Sequence, residues 1–504
     1  MKRTAVLDVV GLTESLIGEA TPHLYRFRQG GSFARIVPAF PAVTCTAQSN
    51  YLTGKPPRAH GIVGNGWYNR ELAEVHFWKQ SNRLVAAPKL WEELRAREPG
   101  FTCAKLFWWF NMHSTADYSI TPRPMYPADG RKVFDIYTQP ADVRHRIQRD
   151  LGPFPFATFW GPAAGVPSPQ GAPDAASRWI AESAKWIERT YTPTLNLVYL
   201  PHLDYNLQRR GVGRQKAEGR RQNLEGSGRK AELGKPFLAS GIRHLASSLL
   251  PDLQAIDAIV GDLIAFFRGR EVQVVILSEY GITDVDTPIH LNRRFREQGW
   301  LTLRDELGRE LLDAGASRVL AVADHQIAHI YLHDHALVSQ VRRLVEAQPG
   351  VARVLGEAEK RAAGLDHPRA GDLIAVAREN AWFTYYYWLD DAVAPDFARC
   401  VDIHRKPGYD PVELFTDPAL SPLALKAKIA WRLLQKRLGF RMLMDVVPLD
   451  ATLVKGSHGG RPANEADWPV MMTDPPEALP AGRVESTEVY WALRRLVTGA
   501  ASRQ

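Results

Sequence analysis

The chain predicts an α/β fold, a mostly parallel sheet flanked by helices with further elements inserted over one edge. Three observations carry this reading. Apolar runs recur at Ala5–Val10, Leu195–Leu200 and Val272–Leu277, and near-continuous runs of that length are what a strand buried on both faces requires. Amphipathic segments at 172–192 and 247–268 lead into the second and third runs. Alternating helix and strand argues for parallel pairing through crossovers. Each run is closed or followed by an acid, Asp8, Asp204 and Glu279, at the carboxyl edge where open α/β sheets build their sites.

The remaining elements follow in order. Residues 87–94 read as a helix and 102–107 as a further strand, ending in the aromatic cluster Phe107-Trp108-Trp109-Phe110. Such a cluster can line a pocket or sit in the core. From Arg209 to Arg243 there are ten Lys/Arg against three Glu, with seven glycines. This is expected to be a basic, flexible insertion of residues 209–243, a solvated loop or a steering element for an anionic substrate. The long stretch of roughly 285–450 is expected to contribute cap elements. The whole of 1–504 is read as one catalytic domain.

The 504 residues are 45% hydrophobic and 23% charged, which is globular composition. That basic segment holds seven of the eight net positive charges, so the basic balance does not predict a nucleic-acid partner. No apolar stretch approaches the ~20 residues of a membrane span. Cys45, Cys103 and Cys400 are scattered and make no disulfide framework. No signal peptide is read at Met1-Lys2-Arg3-Thr4, so a cytoplasmic location is expected.

The most informative stretch runs from Phe40 to Asn65. Thr44 follows Phe40-Pro41-Ala42-Val43, and the chain then passes Leu52-Thr53-Gly54 and His60-Gly61-Ile62 to reach Asn65. A Thr hydroxyl in that setting is a candidate nucleophile, with Asn65 and the backbone amide after Thr44 placed to hold an oxyanion. It needs a base or a metal to activate it. Asp8, Asp204 and Glu279 at strand ends, together with His458 in Gly456-Ser457-His458-Gly459, suggest a metal site. Gly54-Lys55 lacks the upstream Gly and following Ser/Thr of a P-loop.

With these motifs the chain resembles the alkaline phosphatase superfamily, specifically the type I phosphodiesterase/nucleotide pyrophosphatase family in a divergent bacterial subgroup. The resemblance implies an alkaline-phosphatase-like sheet and a phosphodiesterase or nucleotide pyrophosphatase activity passing through a phospho-threonine on Thr44. It also implies two divalent ions, zinc or else Mn or Mg, and an anionic phosphorylated small molecule as partner. Hydrolysis of a phosphomonoester and metal-altered or non-catalytic binding on the same fold are the alternatives. Thr44, Asp8, Asp204, Glu279 and His458 would hold the metals, and Tyr205 and Trp108 join Asn65 as candidate substrate contacts. The family's Asp-x-x-x-His and Asp-His-Gly read here Asp204…Gln208 and Glu279-Tyr280-Gly281, so two imidazoles are missing from their places. His404, at period two from Asp402, and His325, beside Asp324, are the expected replacements, with His404 preferred. His202 would share the face of Asp204 if that segment were extended.

Overall fold

The computed structural model describes residues 1–128, 132–213, 247–440 and 442–499. Its frame is a nine-stranded sheet. In spatial order the strands are Gly482–Glu485, Ser32–Val37, Val470–Thr473, Gln273–Leu277, Thr4–Val9, Leu195–Leu200, Cys103–Leu106, Tyr118–Pro122 and Ile136–Gln139. The central strands pair in parallel, while Val470–Thr473 runs antiparallel to both neighbours and Ile136–Gln139 antiparallel to Tyr118–Pro122. The expected mostly parallel sheet is therefore present. Every residue of Thr4–Val9 and Leu195–Leu200 is buried, because helices cover both faces and leave no solvated side.

The predicted helices lie at Ala175–Tyr191 and Leu250–Arg268. The helix and strand read between 87 and 107 are Leu90–Arg97 and Cys103–Leu106. Pairing fixes the registers that matter. Asp8 lies level with Tyr199 on one side and Leu277 on the other. The three chain segments leave the sheet at a common edge, and Asp204 and Glu279 follow within a few residues.

Residues 285–450 contain a second body of structure. An antiparallel sheet in the order Val319–Asp324, Ile327–Leu332, Leu373–Ala377, Val351–Leu355 carries its own hydrophobic core, which includes Trp382, Phe383 and Tyr385. Asp324 ends the first strand, and His325 opens the two-residue turn to Ile327 with φ +61°, in the left-handed region that side chains seldom adopt.

Four expectations are corrected here. Trp108 is fully buried in the main core, packed as core and not displayed to a ligand. Asp402 and His404 lie in a turn, not on a strand, so period two does not align them. Arg209 and Arg210 close the helix His202–Arg210, and Arg209 donates to the carbonyls of Leu414 and Gly161, so the flexible insertion does not begin at 209. Residues 214–243 of that expected insertion lie outside the described residues. His202 is helical and does not share the face of Asp204. Among the described residues, no helix is long and apolar enough to cross a membrane.

A buried ion cluster braces the second core beside the main one. Lys406 Nζ lies 2.7 Å from both Asp410 Oδ2 and Glu413 Oε1, and Glu413 also accepts from the Trp160 indole at 2.6 Å. Removing one member of such a cluster strands the others without solvent. Lys406→Met should therefore cost about 3–5 kcal/mol of stability, read as a lower urea midpoint, with a smaller deficit at acidic pH where the carboxyls protonate. An unchanged midpoint would show that the cluster braces nothing.

Candidate active site

Thr44 is the first residue of the helix Thr44–Thr53, after an extended Val43. The helix starts beyond the strand Ser32–Val37, so its positive N-terminal end faces the edge where the acids gather. All ten of its residues are buried. The Thr44 hydroxyl oxygen lies 3.4 Å from the Tyr280 hydroxyl, and the Glu279 carboxylate stands near it.

The turn from Gly54 to Asn65 explains the unusual composition of that stretch. Gly54 caps the helix at φ +65°. His60 is structural: its Nε2 pairs with Asn50 at 2.8 Å, and its Nδ1 accepts the Ile62 amide at 3.0 Å. Burial pushes its imidazole down to about 3. Asn65 then meets Asp324. Its backbone N–H donates to Asp324 Oδ2 at 2.7 Å and its Nδ2 to Oδ1 at 3.0 Å. A Cβ at Gly64 would stand 2.9 Å from Asp324 Oδ2, which is why glycine precedes Asn65. The Cys45 N–H, the amide after Thr44, donates to Asn65 Oδ1 at 3.0 Å. The two groups expected to hold a phosphoryl oxygen are bonded to each other here, because Asp324 takes both N–H groups of Asn65 and turns its oxygen toward Cys45.

Asp8 and Glu279 form a pair joined through Gln48, one helical turn after Thr44. Gln48 Nε2 donates to Glu279 Oε1 at 2.5 Å and reaches Asp8 Oδ2 at 3.5 Å, while its Oε1 accepts the Trp109 amide at 2.6 Å. Burial first holds Asp8 well above the usual carboxylate range, and the charge of Glu279 adds to it. Burial likewise raises Glu279. Asp8 Oδ1 and Glu279 Oε2 are buried without a hydrogen-bond partner.

Asp204 belongs to a separate network. Gln208 Nε2 donates to its Oδ2 at 2.6 Å, the Tyr280 hydroxyl donates to its Oδ1 at 3.1 Å, and Tyr409 donates to Gln208 Oε1 at 2.6 Å. Burial pushes its carboxyl up to about 7. Four rings stack behind it. Tyr280 lies 3.5 Å from His458 with planes 5° apart, His458 lies 3.7 Å from His325, and His325 lies 3.6 Å from Tyr409. His458 Nδ1 is 2.8 Å from the Ala42 carbonyl, which only accepts, so Nδ1 carries the proton and Nε2 the lone pair. His325 Nδ1 lies 2.8 Å from Asp324 Oδ1. Burial drives both imidazoles well below their usual range, so both are neutral.

Asp8, Thr44, Gln48 and Glu279 are thus in contact, and Tyr280 links Thr44 to Asp204. His325 and His458 stack on that network, and Asn65 reaches it through Asp324. His404 does not join it. It is exposed in a turn with its Nδ1 3.3 Å from the Phe77 carbonyl, so the preferred replacement imidazole stands apart, and of the two candidates only His325 touches the network. Tyr205 is also turned away, packed with Ala164 and Leu414. Reasoning from sequence missed Gln48, Asp324 and Tyr409. The spacing of four residues between Thr44 and Gln48 on one helix was the available signal.

The donor set decides which cation would fit. Among the described residues, no group of three or more His, Cys, Asp or Glu is arranged to hold a metal. The imidazole-rich position does not assemble, because Gln208 and Tyr280 engage Asp204 and the His458 ring lies flat on Tyr280. The unpartnered oxygens of Asp8 and Glu279 beside the Thr44 hydroxyl suit one hard, oxygen-bound cation.

The sequence matches the family described as type I phosphodiesterase/nucleotide pyrophosphatase over residues 4–410. No curated protein sequence matches it. Murine ectonucleotide pyrophosphatase/phosphodiesterase 5 superposes with a TM-score of 0.54 at 14% identity, covering 99% of this chain and 95% of that one. Its inactive threonine-to-alanine variant in complex with AMP gives 0.54 at 13%, with the same coverages of 99% and 95%. Phosphonoacetate hydrolase from Sinorhizobium meliloti 1021 in complex with phosphonoformate gives 0.57 at 15%, covering 99% and 96%. At these identities the likeness to the solved structures is one of fold.

The raised carboxyl of Asp204 makes a signed prediction. Its value rises from 3.8 to about 7 on folding, so its stabilising contribution is complete below 3.8 and is lost as pH climbs through about 7. In chelator, Asp204→Asn should therefore raise Tm more at pH 8 than at pH 5. Equal shifts at the two pH values would show that Asp204 titrates normally in the fold.

Proposed function

The chain belongs to the type I phosphodiesterase/nucleotide pyrophosphatase family, a family of hydrolases, and we propose that it cleaves a phosphodiester or pyrophosphate bond in an anionic small molecule through a phospho-threonine on Thr44. One observation carries this reading: the Thr44 hydroxyl stands at a helix N-terminus with the Glu279 carboxylate and the Tyr280 hydroxyl beside it. The AMP complex of the inactive threonine-to-alanine neighbour supports both the nucleophile and a phosphorylated ligand.

The bonds balance as follows. The Thr44 oxygen bonds to phosphorus, the bond to the leaving oxygen breaks, and the threonine proton ends on the departing alcohol or phosphate. Water then adds to phosphorus, and the Thr44 oxygen leaves with a proton. Glu279 orients the attacking hydroxyl, and the helix N-terminus offsets negative charge on the phosphoryl group. For Asn65 to bind that group, its amide must exchange the Cys45 N–H for a phosphoryl oxygen. Asp8, Glu279 and Thr44 would hold a divalent ion, which when bound would supply charge neutralisation and acidify a coordinated hydroxyl. Oxygen ligands alone favour Mg²⁺ or Mn²⁺ over zinc.

Gln208 and Tyr280 favour the second reading, a metal-free binding protein on this fold, and phosphomonoester hydrolysis remains the third. Metal analysis and parallel assays on aryl phosphodiester and monoester substrates separate the three. Thr44→Ala should lower kcat by at least about 10³-fold with unchanged circular dichroism. Chelator should abolish wild-type turnover, and Mn²⁺ or Mg²⁺ should restore it better than Zn²⁺. Near wild-type turnover by the alanine variant would transfer the assignment away from Thr44. No turnover and no bound metal in the wild type would leave the binding reading.

A further inference from the structure

The helix Pro422–Arg437 begins at Ser421, whose hydroxyl accepts the Ala424 amide at 3.2 Å, with Pro422 in its first turn. Those are strong helix-start features, yet none of its residues is buried. A surface helix ordinarily turns its apolar stripe inward. This one leaves most of its apolar side chains in water. Its half-buried side carries Leu425 and Ile429 beside Lys428 and Arg432, the last two bonded to Asp445. Its outer side carries Leu423, Trp431, Leu434 and Leu438, spaced by eight, three and four residues. With Phe440 just beyond, these side chains are 78, 57, 45, 64 and 65% exposed in chain order.

Charge frames the stripe. Residues 422–440 contain five Lys/Arg and no Asp or Glu. Among the described residues, no ion pair engages Lys426, Lys436 or Arg437, whereas Lys428 and Arg432 are paired. Water-facing Leu, Trp and Phe edged by unpaired Lys and Arg form the pattern that settles at the boundary between lipid headgroups and acyl chains. At ~24 Å for sixteen residues the helix is too short to span a bilayer but suited to lie along one.

We propose that Pro422–Arg437 and the turn after it dock this protein on an anionic lipid surface, with Trp431, Leu434 and Leu438 entering the headgroup layer and Lys426, Lys436 and Arg437 facing lipid phosphates. The occupant is a bilayer and not a shaped protein partner, because the stripe is convex and its rim is of one charge. The helix joins the turn Pro411–Leu414 through 415–421, and Tyr409 of the ring stack lies just before that turn. Docking would hold this part of the second body at the membrane.

The test uses the purified full chain sedimented with phosphatidylcholine vesicles and with equimolar phosphatidylcholine–phosphatidylglycerol vesicles. The wild type should bind the anionic vesicles at least about tenfold more tightly than the neutral ones, with binding falling as salt rises. The double variant Leu434→Glu, Leu438→Glu and the triple variant Lys426→Gln, Lys436→Gln, Arg437→Gln should each lose about tenfold or more. Both change exposed positions only, and circular dichroism checks their folding. A wild type left in the supernatant overturns the proposal. So does equal binding by the variants, which would assign any affinity to another part of the chain. A wild-type dimer that the Leu434→Glu, Leu438→Glu variant converts to monomer overturns it too, since a second copy would then cover the stripe.

Discussion

Four carboxyl groups, Asp8, Asp204, Glu279 and Asp324, are packed out of water at one edge of the central sheet, and the surrounding structure is arranged around keeping them there. An isolated carboxylate in such a place is too costly to persist ionised, so it must be bonded, paired or protonated. The chain uses all three remedies. Gln48 lies between Asp8 and Glu279, and burial raises both carboxyls above their usual range. Gln208 and Tyr280 donate to Asp204. Asp324 receives two N–H groups from Asn65 and faces His325. Asp324 in turn is raised only to about 6, since the Asn65 bonds oppose its burial.

This constraint gives the two non-imidazole residues a physical role. A histidine at position 208 or 280 would offer a lone pair to a cation. Glutamine and tyrosine offer hydrogens to a carboxylate. The network around Asp204 is closed by donors on the protein itself, whereas one oxygen each on Asp8 and Glu279 is left without a partner.

Much of the frame was legible because its signals are local. The runs at Ala5–Val10, Leu195–Leu200 and Val272–Leu277 have strand length and composition, and the helices before the second and third have a 3.6-residue period. The acids that follow were legible as edge residues for the same reason. What escaped depends on facing. Gln48 matters because a helix turns it toward two acids that are distant in sequence. Asp324 matters because a hairpin brings it against Asn65. Asp402 and His404 misled because period two has meaning only on a strand, and theirs is a turn. Arg209 read as part of a solvated charge run, but the carbonyls of Gly161 and Leu414, distant in sequence, capture it. The outward apolar stripe after Ser421 has ordinary helical periodicity, so sequence alone would turn it inward.

Thr44 is only 3% exposed, held under contacts that join the two cores. The Asn65–Asp324 bonds tie the Thr44 turn to the second sheet, and the rings of Tyr280, His458, His325 and Tyr409 run from one core to the other. A ligand as large as a nucleotide reaches the hydroxyl only when that seam parts. A cycle of the proposed reaction would then contain a breathing step that costs stacked-ring contacts on the way in and regains them on the way out. Solvent viscosity and temperature would act on that step independently of phosphorus chemistry, so the separation of two packed bodies would join bond breaking in setting the clock of that reaction.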